Sequence, residues 1–323
     1  MTGKLTLALG REGPTVQMGA SLAYQTGRLF RRSGSDCRVL LAAGAGAGFA
    51  AAFNAPIAGA LFVFEVLIKR FETRIAIAAL AACAVATWVG RAIAGGAREF
   101  TVAPLAEPGL VQLPMYVLLG ILAGLAGVLY KRTLLAALGV AARLSAVPLE
   151  MRAAIVGAAV GIIAWFAPTL VGGGDELAQQ ALAGVGTLVL LPALFLFRLG
   201  LIACSVTVGT PGGLLVPFLA LGAELGLWLG LVGVLAFPGL GLEPHGFALV
   251  GMAALFTAIV RAPITAIVVV AEMTGTVAML LPMIVTCFAA LLVPALFGEA
   301  SILDTLAARL VRRRTRPVGE ASR

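Results

Sequence analysis

The feature that most restricts this chain is the length of its uncharged stretches. Nine runs free of Asp, Glu, Lys and Arg cover 39–64, 75–90, 108–130, 153–174, 177–197, 199–223, 225–242, 244–260 and 273–298. Many approach the ~20 apolar residues that cross a hydrocarbon core. With 61% hydrophobic and 12% charged residues, the chain is far too apolar for a soluble domain of its length. A membrane-spanning barrel would alternate polar and apolar residues over ~10-residue segments. These runs do not alternate, so the expectation is an all-α polytopic membrane protein whose backbone polar groups are satisfied inside helices.

The formal charge of +8 could point to nucleic acid, but the basic residues gather at the ends of apolar runs: Arg28, Arg31 and Arg32; Lys69, Arg70 and Arg74; Lys131 and Arg132; Arg312–Arg314 with Arg316. This is the pattern of membrane-flanking loops, and it places the 312–316 stretch on the cytoplasmic side. No nucleic-acid partner is expected. Cys37, Cys83, Cys204 and Cys287 are far apart and read as packing residues, and His245 reads as a loop residue without a second ligand nearby. No metal site, cofactor site or enzymatic constellation of nucleophile and base emerges. Lys4, Arg11 and Glu12 interrupt any cleavable signal core.

Several apolar runs are broken by Gly and Pro, at Gly172–Gly174, Pro211–Gly213 and Pro217. Broken helices of this kind line central sites in transporters, which are commonly built from inverted repeats. A repeat is visible when Gly10-Arg11-Glu12-Gly13-Pro14 is laid over Gly212–Pro217, since Gly10 and Gly213 each stand four residues before a proline. Further on, NAPIAGALFVFE (Asn54–Glu65) lies over RAPITAIVVVAE (Arg261–Glu272), both ending in glutamate nine residues after the proline. Pro14 and Pro56 are 42 residues apart, and Pro217 and Pro263 are 46 apart. About a hundred residues of helical material (113–209) precede the second copy, but only nine residues precede Gly10. The reading is therefore an inverted-topology repeat whose first copy lacks its front, with 1–104 the remainder of the first repeat, 105–311 the second and 312–323 a basic tail.

The chemistry of the repeated motif follows from its backbone. Glycines at 10 and 13 let the chain turn and approach a ligand closely, and Pro14 suits a first helical turn. A helix start carries unpaired N–H donors and about half a positive charge, which attract an anion without fixing it to a cation. Two such starts facing each other near the bilayer midplane would make an anion site. Glu12 could occupy that site itself and leave it on protonation, acting as gate and proton carrier. Glu65 and Glu272 are read as structural helix-end or interface residues. Arg261 is read as a neutralising partner or end-of-helix anchor, and Glu224 as a candidate inner proton donor.

GREGPTVQMGASL, GAGFAAAFNAPIAGALFVFE, TPGGLLVPFLALG and RAPITAIVVVAEMT together resemble, in order and near spacing, the signature regions of the ClC chloride channels and proton-coupled chloride transporters. The match runs from about Leu7 to Arg309 and is most similar to the bacterial proteins without CBS domains. The resemblance implies a bacterial inner-membrane homodimer, embedded in lipid, with one pathway per subunit for chloride and, in the coupled members, protons. It makes Glu12 the gating residue. Backbone amides of Gly10, Arg11, Glu12 and Gly13, and of Leu214, Leu215 and Val216, then become the anion-binding groups. It also exposes departures: Leu215 replaces the family's phenylalanine, Val66 stands where an internal proton-transfer glutamate is usual, and Leu303 stands where a tyrosine coordinates the anion. A pathway serine of the family falls ahead of residue 1. Channel and proton-coupled exchanger both remain open at this point, as do an organic-anion carrier and an inactive remnant.

Overall fold

A computed structural model describes residues 7–143, 147–209 and 212–315. Among these residues the regular structure is helical, and the one β-type contact is a bridge between Gly10 and Gly213. The first four helices are α1 (Glu12–Leu29), α2 (Gly34–Phe53), α3 (Pro56–Phe62), which continues as a π turn over Val63–Ile68, and α4 (Thr73–Ala94). Next come α5 (Leu113–Arg143), α6 (Leu149–Phe166), α7 (Asp175–Leu182) and α8 (Leu190–Val206). The last five are α9 (Leu215–Ala236), α10 (Pro244–Val260), α11 (Pro263–Thr274), α12 (Leu280–Leu296) and α13 (Ile302–Thr315). Five stretches, Gly34–Phe53, Thr73–Ala94, Leu110–Arg143, Leu149–Phe166 and Leu215–Ala236, are long and apolar enough to span a bilayer. The shorter ones are the broken helices of a multi-pass membrane protein.

The repeat is built into the packing. Gly19 lies nine residues after Gly10, and Gly222 nine after Gly213; Gly44 and Gly251 each lie ten before Asn54 and Arg261. A Cβ added at Gly19 would meet the Gly44 carbonyl oxygen, and one added at Gly222 would meet that of Gly251. The α1/α2 and α9/α10 crossings therefore use the same two positions for the same close approach, as small residues do wherever membrane helices pack tightly. Asn54 and Arg261 both close their helices in the left-handed region, at φ 52° and 66°.

Its inversion is visible in two carboxylates. Glu65, at the end of the α3 segment, accepts hydrogen bonds from Ile264 N (3.1 Å), Thr265 N (2.7 Å) and Thr265 Oγ1 (2.6 Å) at the start of α11. Glu272, at the end of α11, accepts from Ile57 N (3.1 Å) and Ala58 N (2.8 Å) at the start of α3. Two segments can cap each other's starts with their own ends only if they lie antiparallel, side by side. Each cap satisfies donors that a helix start leaves unpaired, which bears out the helix-end reading of both acids. The π turn supplies the one residue by which the copies differ: Glu65 to the left-handed Lys69 is four residues, Glu272 to Gly275 three. Helices α5 to α8 have no counterpart ahead of α1 among the described residues.

Cutting the sequence at every charge misplaces three helices. Lys131, read as a flanking loop residue, lies inside α5 and is 7% exposed. Arg198 lies inside α8 and Glu224 inside α9. A charge ends a span only when nothing inside satisfies it. Lys131 Nζ donates to Glu299 Oε2 (2.8 Å) and the Ala300 carbonyl (2.7 Å), fastening the start of the last segment to α5. Other readings shift less. His245 sits in the first turn of α10, 3.7 Å from Glu243, rather than in a loop. Cys37, Cys83 and Cys287 are buried and Cys204 is exposed, all as free thiols.

Removing either partner of the Lys131 pair should have unequal effects. Glu299→Gln strands a buried ammonium and should cost about 2 kcal/mol, whereas Lys131→Met leaves a carboxylate that Arg132 still contacts and should cost less. The hydrogen bond from Lys131 holds the Glu299 carboxyl below its ordinary range. Its stabilising contribution is therefore complete above the unfolded value of about 4.3 and is lost as pH falls through the lower folded value. Thermal unfolding in detergent at several pH values checks both the order of the variants and the acid loss.

Candidate functional site

The two copies of the glycine motif touch each other. Gly10 N–H donates to the Gly213 carbonyl and Gly213 N–H to the Gly10 carbonyl, each at 2.7 Å. This pairing sets the starts of α1 and α9 beside one another, as the repeat predicted. Glycine is required here by close approach. A Cβ at Gly10 or at Gly213 would collide with the Glu12 carboxylate.

That carboxylate lies between the two helix starts. Glu12 is 1% exposed, and its Oε1 accepts a hydrogen bond from Val216 N at 2.6 Å. Val216 is the second residue of α9, so its N–H is one of the donors an α-helix leaves free. The other carboxylate oxygen is buried without a partner among the described residues. One oxygen of an acidic group therefore takes up a free donor at the start of α9.

The remaining expected residues take distinct positions. Arg11 contributes backbone to the turn, while its side chain reaches outward to Glu99 at 3.0 Å. Leu214 precedes the first turn of α9, and Leu215 and Val216 lie within it, both buried. Thr210 and Pro211 lie outside the described residues, as does Arg316 in the basic tail. Val66 and Leu303, far apart in sequence, line one cavity of about 350 Å³ with Glu65, Lys69, Arg261 and Ser301. Lys69 Nζ bridges to Asp304 at 2.5 Å across its edge. Arg261 donates to the Glu299 carbonyl, the end-of-helix anchor expected of it.

Glu224 does not belong with this inner cavity. The antiparallel α9 and α10 pack Gly222 on Gly251, Gly226 on Phe247 and Gly230 beside Pro244. From Val216, α9 leads towards the start of α10, whereas the cavity lies past the end of α10 at Val260 and Arg261. Glu224 thus stands on the opposite side of the Glu12 site from Val66, and the expectation that it replaces an inner donor there is overturned by geometry.

The charge that reading the sequence overlooked is Arg198. It is fully buried and donates to the carbonyls of Leu170 (3.2 Å), Gly172 (3.3 Å) and Gly173 (2.9 Å). Its guanidinium rests on Gly174, which has φ +100°, and beside it lies Ala220, one turn along α9 from Val216. The signal was present: Arg198 is the only charge between 177 and 223. Hydropathy alone makes it the border of two spans.

Comparison with known proteins agrees with this architecture. Residues 3–295 match the family model described as voltage gated chloride channel. The chain is 38% identical over 309 residues to a protein of Cronobacter sakazakii named H(+)/Cl(-) exchange transporter ClcA, and 37% identical over 317 residues to one of that name from Vibrio parahaemolyticus. These alignments cover 94% and 95% of this chain but 66% and 67% of those relatives, so the chain spans about two thirds of their length. Among solved structures, a slow cyanobacterial Cl-/H+ antiporter superposes with TM-score 0.91 at 32% identity, covering 97% of this chain and 74% of that one. A CLC-type fluoride/proton antiporter shares the fold at TM-score 0.75 and 24% identity, covering 88% of this chain and 70% of that one. The mutually capped antiparallel repeat, the paired glycine turns and the match over most of the sequence converge on one conclusion: this chain belongs to the voltage-gated chloride channel family.

Proposed function

We propose that this chain moves chloride across the membrane in exchange for protons, through a site made by the starts of α1 and α9, with Glu12 as gate and proton carrier. The observation that carries the reading is the Glu12 carboxylate itself, buried between two helix starts and held by the Val216 amide at 2.6 Å. A carboxylate and a halide compete for the same donors. Protonation removes the charge that holds Glu12 there, so the side chain can leave and an anion can enter. The amides of Gly10, Arg11, Glu12 and Gly13, with those of Leu214, Leu215 and Val216, are the donors assigned to that anion. Chloride and protons are the transported species named for the relatives above, and no cofactor is invoked. Chemical catalysis has no place in this scheme.

A second reading is uncoupled chloride conduction, favoured by one observation: Val66 and Leu303, neither of which can carry a proton, line the inner cavity. Vesicles containing the reconstituted protein and a chloride gradient separate the two. Exchange predicts that protons are driven uphill by the chloride gradient, whereas conduction predicts chloride movement without them. Failure to move chloride at all would overturn both. Two copies of the chain are proposed to associate in the membrane, each with its own pathway. Segments 1–104 and 105–311 are proposed as its two related halves, and 312–323 as a basic cytoplasmic tail.

A further inference from the structure

Val216, Ala220 and Glu224 are spaced i, i+4 and i+8, so they share one face of α9. Three charges are strung along that face. The Glu12 carboxylate is bound at Val216, the Arg198 guanidinium lies beside Ala220, and Glu224 follows one turn later. Arg198 spends its hydrogen bonds on the three carbonyls of Leu170, Gly172 and Gly173 and forms no salt bridge with Glu224. Glu224 is 2% exposed, and neither of its oxygens has a hydrogen-bond partner among the described residues. It borders an apolar cavity of about 220 Å³ between α8 and α9, walled by Leu191, Phe195, Leu196 and Trp228.

We propose that Glu224 is a second proton-binding carboxyl, and that its protonation strengthens the anion site at the start of α9 by removing a negative charge from the same helix face. The proposal rests on the reading of that site as an anion site. A buried carboxylate without a hydrogen bond is costly, and here a proton is the simplest means of neutralising it. Glu12, or its replacement anion, and ionised Glu224 are two negative charges on one helix face, with Arg198 beside Ala220 between them. Protonating Glu224 from water removes one of the two. By linkage, binding an anion at Val216 must in turn raise the proton affinity of Glu224.

The other ionisable neighbours act on Arg198 or Glu12 rather than on Glu224. Asp175 at the start of α7 interacts with both Arg198 and Glu12, and Tyr130 on α5 interacts with Arg198. Among the charged groups, Arg198 is the one that acts on Glu224 directly. On the flank of α10, no ionisable side chain occurs between Gly246 and Val260.

The test removes the titration of Glu12 first. In Glu12→Gln protein in detergent, calorimetric chloride affinity should fall about tenfold from low to high pH. That is the effect expected of one charge some 12 Å away, eight residues along a helix, in a medium of intermediate dielectric. Adding Glu224→Gln should hold the affinity at its low-pH value throughout. An unchanged pH slope in the double variant overturns the proposal, while the anion-site reading survives. If Glu12→Gln binds no chloride at any pH, the anion-site reading itself fails and this proposal falls with it. Should the double variant not fold, infrared difference spectra of Glu12→Gln provide the second readout. Adding chloride at fixed pH should increase the carbonyl stretch of a protonated carboxyl, and no increase at any pH overturns the proposal.

Discussion

Glu12→Gln should stop proton movement while chloride continues to cross. In vesicles, the chloride-driven proton signal is expected to fall to the leak of protein-free lipid, because the amide has no proton to exchange in the accessible pH range. Chloride should also bind more tightly. In the native protein an anion must displace a charge-assisted hydrogen bond from Val216 N to the Glu12 carboxylate. A neutral amide holds the same donor about half as strongly, so the competing penalty drops by about 1.4 kcal/mol and chloride affinity rises about tenfold. Calorimetry on the purified variant measures the second effect independently of transport. Proton coupling retained in Glu12→Gln would remove the residue from the proton path and leave the buried carboxylate without its assigned role.

Much of this site was legible in sequence because it is made of backbone. Gly10 and Gly213 could be aligned from their distance to a proline, and the structure pairs those two residues by reciprocal hydrogen bonds. Backbone sites leave a strong trace in a chain, since only glycine tolerates such an approach and proline marks the helix start that follows. The terminal glutamates of the two Ala-Pro-Ile segments were equally readable, as matched positions in a repeat. Reading each as a helix-end residue needed only their common spacing, but their exchange between α3 and α11 is a tertiary fact that no local pattern contains.

The buried charges were harder. Lys131, Arg198 and Glu224 each sit inside a helix, yet the first two read as boundaries, because hydropathy counts a charge as cost whatever it meets. Arg198 meets three carbonyls from the turn before α7, 25 to 28 residues earlier in the chain. Those carbonyls are free only because Gly172–Gly174 interrupts the preceding apolar run. The broken helix and the buried arginine are thus one feature in the fold, though they were two unconnected signals in the sequence. Glu224 shows the opposite limit. Its position inside an apolar run marked it as functional, but which side of the Glu12 site it occupied depended on the direction of α9 relative to α10.

The other large effect should come from Gly222, which touches neither Glu12 nor the inner cavity. A Cβ at this position meets the backbone carbonyl of Gly251, and backbone cannot turn aside as the end of a side chain can. Gly222→Ala should therefore destabilise the protein by about 2–3 kcal/mol despite the higher helix propensity of alanine, and Gly222→Leu should yield no folded protein. Gly157→Ala in α6 is the control, since a Cβ there meets nothing within 4 Å. It should be neutral or stabilising by up to about 1 kcal/mol. Thermal unfolding in detergent ranks the variants, and equal stability of Gly222→Ala and Gly157→Ala would show that the α9/α10 crossing can relax. The expected damage extends to function because Gly222 lies six residues, fewer than two turns, from Val216 on the same rigid helix. A shift of the crossing by a few tenths of an ångström moves the Val216 amide relative to Gly10 and Glu12. The surviving Gly222→Ala protein should therefore bind chloride more weakly than its folded fraction accounts for, and Gly19→Ala, at the matching crossing of α1 on α2, should repeat the pattern from the other half.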